Sequence, residues 1–280
     1  MNRQHRQLLI AGLATTVLPL QAATLVSDNF NAYGDGPLSN PPNTASAWNR
    51  HSGTGNNLLV QGGSVQLLQA DTVGNKDDAH RLFDGGLKFK ADGDADNANN
   101  FLYASFGVKF TALPTDSGGS YFAHFKSSTA NEFYGRIWAG QEAGGKFSLR
   151  ISSESANNGE NATKWGQALD LNVGYTVFTR LNVDTGEATL WVNPLSESSP
   201  GAVSTDAWGF QGEVEAFAMR QGTTTPSSGI AGGSGSLIFD DLLVGTTFAS
   251  VMPIPEPSGL FLLGAALLGG VMWSRRVRTR

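Results

Sequence analysis

The chain has 280 residues, 35 of them Gly, with no Cys, 15% charged side chains and a net charge of −5. Without Cys there are no disulfides, thiolate metal sites or Cys nucleophiles. Two Arg precede Thr24 and the tail from Glu256 holds four Arg and one Glu, so the stretch between carries 13 basic and 23 acidic side chains, net −10; this excludes nucleic acid, whose binding needs phosphate neutralisation by Lys and Arg.

Arg3 and Arg6 lead into an apolar run over 8–20, followed by Ala22 and Ala23. Charged, apolar and small residues in that order make a secretory signal, with cleavage expected after Ala22 or Ala23. The run is shorter than the ~20 residues of a comfortable bilayer span.

The stretch Asp92-Gly93-Asp94-Ala95-Asp96-Asn97 puts carboxylates at alternating positions, which suits a hard cation such as calcium. An EF-hand wants Gly at the sixth position and Glu at the twelfth, where Asn97 and Tyr103 stand, so that motif is rejected. Asp92, Asp94 and Asp96 then read either as a looser calcium site on a rim loop or as a solvated acidic loop.

Residues 101–111 alternate, with Leu102, Ala104, Phe106, Val108 and Phe110 on one face, the period of a half-buried strand. Strands are expected over 121–126, 132–139 and 146–152, with a turn at 140–145. A hairpin spans 175–192 around Asp184-Thr185-Gly186, where Gly can take positive φ. Strands over 214–220 and 237–244 follow. Short strands, turn signals and no helical period between 24 and 250 predict an all-β, two-sheet antiparallel jelly-roll sandwich.

Candidate chemistry is sparse. No Glu-x-Asp-x-x-Glu string occurs. Glu213 and Glu215 would share a strand face about 6.8 Å apart, a separation glycoside hydrolysis can use and a wet outer face also shows. His5, His51, His80 and His124 have no His-x-His or His-x-x-x-His spacing, so zinc has no support. His124 reads as a packed or hydrogen-bonded strand residue. No Gly-x-Ser-x-Gly elbow suggests a Ser-His-Asp triad. Trp165 and Trp208 lie in loop-like sequence and are candidates to stack on sugar faces.

At the C-terminus, Pro255-Glu256-Pro257 precedes an uncharged apolar run over 258–274 and then Arg275, Arg276, Arg278 and Arg280. The run reaches about 25 Å as a helix, a short transmembrane span, and the Arg cluster stays cytoplasmic by the positive-inside rule. Pro253, Pro255 and Pro257 hold the preceding segment extended, open to a processing enzyme. This tail resembles a PEP-CTERM sorting tail. The resemblance implies recognition by an exosortase-type membrane enzyme and a transient inner-membrane anchor. It also implies a final place at the surface or in the extracellular matrix of a Gram-negative, polysaccharide-making bacterium. A permanent tail anchor is the alternative.

The segments Tyr121-Phe122-Ala123-His124-Phe125, Thr189-Leu190-Trp191-Val192-Asn193-Pro194 and Phe239-Asp240-Asp241-Leu242-Leu243-Val244-Gly245 resemble bacterial secreted laminin-G-like, concanavalin A-like jelly rolls. That resemblance implies two antiparallel sheets, one curved, and brings no catalytic set. The expected layout is a signal peptide at 1–23, a jelly roll at 24–250, a Pro-rich linker at 251–257 and a sorting tail at 258–280. The leading expectation is an exported protein that is not an enzyme and binds polysaccharide through its jelly roll. A carbohydrate-active hydrolase or lyase, and a purely structural surface protein, are the alternatives.

Overall fold

Seventeen short strands account for the regular structure of the computed structural model, which describes residues 23–55, 58–69, 76–91, 100–127, 132–153, 159–206, 212–222 and 233–253. In chain order they are β1 (Thr24–Asp28), β2 (Gly36–Pro37), β3 (Asn49–Gly53), β4 (Leu58–Gln61), β5 (Ser64–Leu67), β6 (Asp77–Leu82), β7 (Phe101–Ala112) and β8 (Ser120–Lys126). Then follow β9 (Phe133–Glu142), β10 (Lys146–Ser152), β11 (Thr163–Lys164), β12 (Leu169–Asp170), β13 (Gly174–Asn182), β14 (Ala188–Val192), β15 (Ala202–Val203), β16 (Ala216–Arg220) and β17 (Ser236–Gly245).

They form two antiparallel sheets. The nine-stranded sheet runs β15-β14-β13-β7-β17-β5-β4-β2, with β1 also on β17. The eight-stranded sheet runs β11-β10-β9-β8-β16-β6-β3, with β12 also on β10. The alternation over 101–111 is realised in β7: Leu102, Ala104, Phe106, Val108 and Phe110 are all buried in the main core. The expected all-β jelly-roll sandwich is therefore the observed fold. Strand β9 continues to Glu142, through the first part of the turn expected at 140–145.

Aromatic side chains from both sheets fill the interior. Phe106 of the first sheet stacks on Phe239 at 4.5 Å and meets Phe217 of the second at 5.9 Å. Phe110 meets Phe147 at 4.2 Å across the sheets. Each such fully buried side chain contributes about 1.5–3 kcal/mol, and together they fix the two sheets against each other. The outward face of the eight-stranded sheet is then free to carry other chemistry.

One irregularity decides what that face presents. The register of β8 against β9 shifts between Tyr121 and Ala123 and again between Ala123 and Phe125. Phe122, Ala123 and Phe125 all belong to the main core, while Tyr121 belongs to a separate outer cluster with Trp138 and Ala162. Strict alternation would put Tyr121 and His124 on opposite faces. The bulged register re-aims them onto the same one, a common use of bulges beside sites.

Candidate functional site

Strand pairing sets out the outward face row by row. Ala218 of β16 lies between His80 of β6 and His124 of β8. His51 joins them from β3. His51 and His80 approach Nδ1 to Nδ1 at 3.3 Å, and the His51 ring stands 6.4 Å from that of His124. No spacing along the chain signals this trio, because three strands distant in sequence supply it.

Aromatic rings wall the trio. His124 meets Tyr121 edge-on at 5.3 Å and Phe133 at 4.9 Å. Tyr121 in turn meets Trp138 at 5.1 Å. Trp138 points outward because its strand neighbours Ile137 and Ala139 both point into the core. Its Nε1–H donates to Ser152 Oγ at 2.9 Å. Gly159 packs against the Trp138 ring, and a Cβ there would lie 1.8 Å from the Gly118 carbonyl oxygen, so any larger residue would collide with the Gly118 backbone.

Cations stand over the rings. The Arg220 guanidinium lies 4.3 Å above the Tyr121 ring and donates from Nη1 to Ser120 Oγ at 2.6 Å. Arg136 lies 5.5 Å from the same ring, and Lys126 lies 5.5 Å from Phe133. Burial pulls the Lys126 ammonium below its ordinary range, against the pull of Glu132 and Glu215.

The imidazoles are neutral. Burial, then the competing proton site of His80 and the cations Lys126, Lys76 and Arg220, lower His51 to about 3. Burial and Lys126 lower His80 to about 4, opposed by Glu215. His124 is fully buried and held well below the usual histidine range, first by burial. Neither of its ring nitrogens has a hydrogen-bond partner, so it is packed but not hydrogen-bonded. Buried polar groups without partners are rare in native proteins and call for an explanation.

The residues expected from sequence fare differently. Trp165 is half-buried against the main core. It borders a recess of about 700 Å³ with Lys164, Gln167, Asn193, Pro194 and Leu195, at the edge of the sandwich away from the histidines. Glu213 and buried Glu215 precede β16 instead of sharing a strand face, and both accept from Lys88 Nζ at 2.9 Å, an ion cluster and not a free pair of carboxylates. Trp208, Asp92, Asp94, Asp96, Pro255, Glu256, Pro257, Arg275, Arg276, Arg278 and Arg280 lie outside the described residues, as do residues 1–22 of the expected signal. Among the described residues no group of three or more His, Cys, Asp or Glu converges as a metal site. No helix among them is long and apolar enough to cross a membrane.

Residues 253–276 match the family model described as the PEP-CTERM protein-sorting motif. No curated protein matches the chain. Among solved structures, the alginate lyase Aly36B superposes with a TM-score of 0.51 at 13% identity, covering 79% of this chain and 96% of its own. A double mutant of Aly36B in complex with alginate tetrasaccharide gives 0.50 at 13%, over 79% and 96%. A second mutant, in complex with alginate trisaccharide, gives 0.50 at 12%, over 79% and 97%. At such identity the likeness is one of fold.

These findings correct the expectation that the chain is not an enzyme. The fold on which that expectation rested is the fold of solved polysaccharide lyases. The chemical ground for it was also too narrow. It sought paired carboxylates, which hydrolysis needs, whereas the outward face gathers neutral imidazoles, a phenol and guanidinium groups. The PEP-CTERM motif implies export and membrane-anchored sorting by an exosortase-type enzyme. The chain thus carries a PEP-CTERM protein-sorting motif behind a jelly-roll β-sandwich of the kind seen in alginate lyases.

Proposed function

We propose that the jelly roll is a lyase for an acidic, uronate-containing polysaccharide, acting on the outward face of the eight-stranded sheet. The carrying observation is the neutral histidine trio set beside Tyr121 under the Arg220 and Arg136 guanidinium groups. β-Elimination from a uronate needs a cation on the carboxylate, an unprotonated base for the proton beside it and a donor for the leaving oxygen. Arg136 and Arg220 fit the first role, half-buried His51 the second and the Tyr121 hydroxyl the third. The carbon–hydrogen bond breaks towards His51 and its electron pair forms the new double bond. The carbon–oxygen bond breaks, the glycosidic oxygen leaves with that electron pair and takes the phenol proton, and the proton held by His51 returns to the phenolate through water, which restores both groups.

The Trp165 recess is proposed as an outer surface on which a longer glycan stacks. The calcium reading of Asp92, Asp94 and Asp96 is kept as a minor proposal. For the layout, the signal at 1–23 is removed on export, the domain at 24–250 and linker at 251–257 reach the far side of the inner membrane, and the tail at 258–280 holds them there until processing.

The test is incubation of the full chain with alginate, other polyuronates and neutral glycans, read by ultraviolet absorbance of an unsaturated uronyl product. Product from a polyuronate, lost in Arg220→Met, is expected. Binding without any new double bond, or cleavage that leaves only saturated ends, overturns the proposal.

A further inference from the structure

The His51–His80 contact carries a consequence for proton placement. Two neutral imidazoles can hydrogen-bond Nδ1 to Nδ1 only if one of those nitrogens carries the proton and the other offers its lone pair. One ring must then hold Nδ1–H and a bare Nε2, and the other a bare Nδ1 and Nε2–H. The 3.3 Å separation imposes this split whichever way the proton lies.

The surrounding charges choose the direction. Besides its neighbour His80, the groups that press on His51 are cations: Lys126 from β8, Lys76 just before β6, and Arg220 from β16. Phe133, 6.4 Å from the His51 ring, carries Lys126 at 5.5 Å, and a nearby cation favours a lone pair on the nitrogen that His80 does not occupy. His80 also feels Lys126, but it is set apart by the Glu215 carboxylate, which is 6% exposed and clamped by Lys88 at 2.9 Å. A carboxylate favours a nitrogen that bears hydrogen on its side.

We infer that His80 is a positioning residue that holds His51 in the Nδ1–H tautomer, leaving the His51 Nε2 lone pair on the cation-lined face where an acidic glycan would meet it. In this arrangement His51 Nδ1–H donates to His80 Nδ1, and His80 keeps Nε2–H. Burial keeps both rings neutral, so the arrangement persists through the whole range in which an exposed histidine would titrate. The inference rests on the reading of this face as the working site. It adds the residue that decides which His51 nitrogen works, as the partner of the second nitrogen decides for any acting histidine.

Nitrogen-15 NMR of the full chain, labelled at histidine and assigned through single-histidine variants, reads the tautomer directly. His51 is expected with a protonated Nδ1 and an unprotonated Nε2 at pH 7, unchanged at pH 5. His80→Ala should return His51 to the common Nε2–H form. His80→Asn, whose amide oxygen can accept in place of Nδ1, should keep the Nδ1–H form. With a polyuronate substrate, His80→Ala should lower kcat at least about tenfold with KM little changed, since a wrong tautomer alone can cost up to ~10⁴-fold, and His80→Asn should recover most of it. A His51 that carries Nε2–H in the unmutated chain, or keeps its tautomer in His80→Ala, overturns the inference. A chain with the stated tautomers and no lyase product would support the inference while removing the functional reading.

Discussion

Replacing His124 with Phe separates a working histidine from a structural one. Phe keeps a flat ring edge-on to Tyr121 and Phe133 and deletes two buried nitrogens without partners. An unmade hydrogen bond at a buried polar group costs about 1–3 kcal/mol. Against this, a larger ring in a packed site costs about 1–3 kcal/mol where nothing can yield. Here the cross-strand neighbour is Ala218, which leaves room, so the first effect should win. His124→Phe is expected to stabilise the protein by about 1 kcal/mol, or roughly 2–4 °C in Tm for a domain of this size, and to lower lyase activity. Urea unfolding of the full chain at pH 7 measures the shift in midpoint at constant slope, with turnover read on the same preparation. A loss of 1 kcal/mol or more would refute the reasoning, because it would mean that the imidazole makes bonds the folded state depends on.

The same histidines predict acid lability. His51, His80 and His124 have folded pKa values below the unfolded value of about 6.5, so the unfolded chain takes up protons first. Their contribution is whole above about pH 6.5 and is lost as pH falls towards about 4 for His80 and about 3 for His51, at up to about 1.4 kcal/mol per pH unit for each histidine. The urea midpoint should drop through that window, less steeply in His124→Phe; a flat midpoint counts against burial of neutral rings. Asp28 accepts from Trp48 Nε1 at 2.9 Å, Arg81 Nη1 at 2.6 Å, the Tyr33 hydroxyl at 3.0 Å and the Phe30 backbone at 3.0 Å. Asp28→Ala should destabilise by about 3–5 kcal/mol. Tyr33, pushed up to about 12 by burial and then by Asp28, should titrate lower by ultraviolet absorbance in any fraction that stays folded. Trp165→Ala should weaken binding of long polyuronates by roughly two- to tenfold, the worth of one stacked ring, and leave turnover of short ones unchanged. Calorimetry with oligomers of graded length checks it, and equal loss at all lengths would place Trp165 in the main site.

What the sequence shows and hides follows from which face of each strand is apolar. Strand β7 is plain because its inward residues are all apolar, and β10 falls at the expected 146–152 for the same reason. Strands β3 and β6 are hidden. Asn-Arg-His-Ser-Gly and Asp-Asp-Ala-His-Arg-Leu read as loops. In β6 the outward positions serve the histidine face. Asp77, which is fully buried, pairs with Arg50 Nε at 2.9 Å and accepts a hydrogen bond from the Ser39 hydroxyl. A buried ion pair erases the period-two signal that burial normally writes into a strand. The placement of Tyr121 beside His124 is hidden for another reason. They share a face only through the two register shifts of β8, and a bulge leaves no composition signature. The His51–His80 contact joins residues 29 apart, which no local spacing rule could find.

The charge distribution bears on how a net-acidic domain could work on an acidic polymer. The stretch from residue 24 to 255 carries a net −10, so most of its surface repels a polyuronate at long range. Lys126, Arg136 and Arg220 gather beside one set of rings. Repulsion elsewhere and attraction at one face orient the approach of a chain without holding it strongly, because exposed charge attraction fades beyond about 8 Å at physiological salt. For an enzyme that must release its product, weak general adhesion with a local cationic face is an advantage. The neutral imidazoles complete the arrangement. Were they charged, the face would bind carboxylates more tightly but would have no lone pair to take a proton. On the proposed reading burial keeps these rings unprotonated at a cost in stability, and the unpartnered nitrogens of His124 mark that cost.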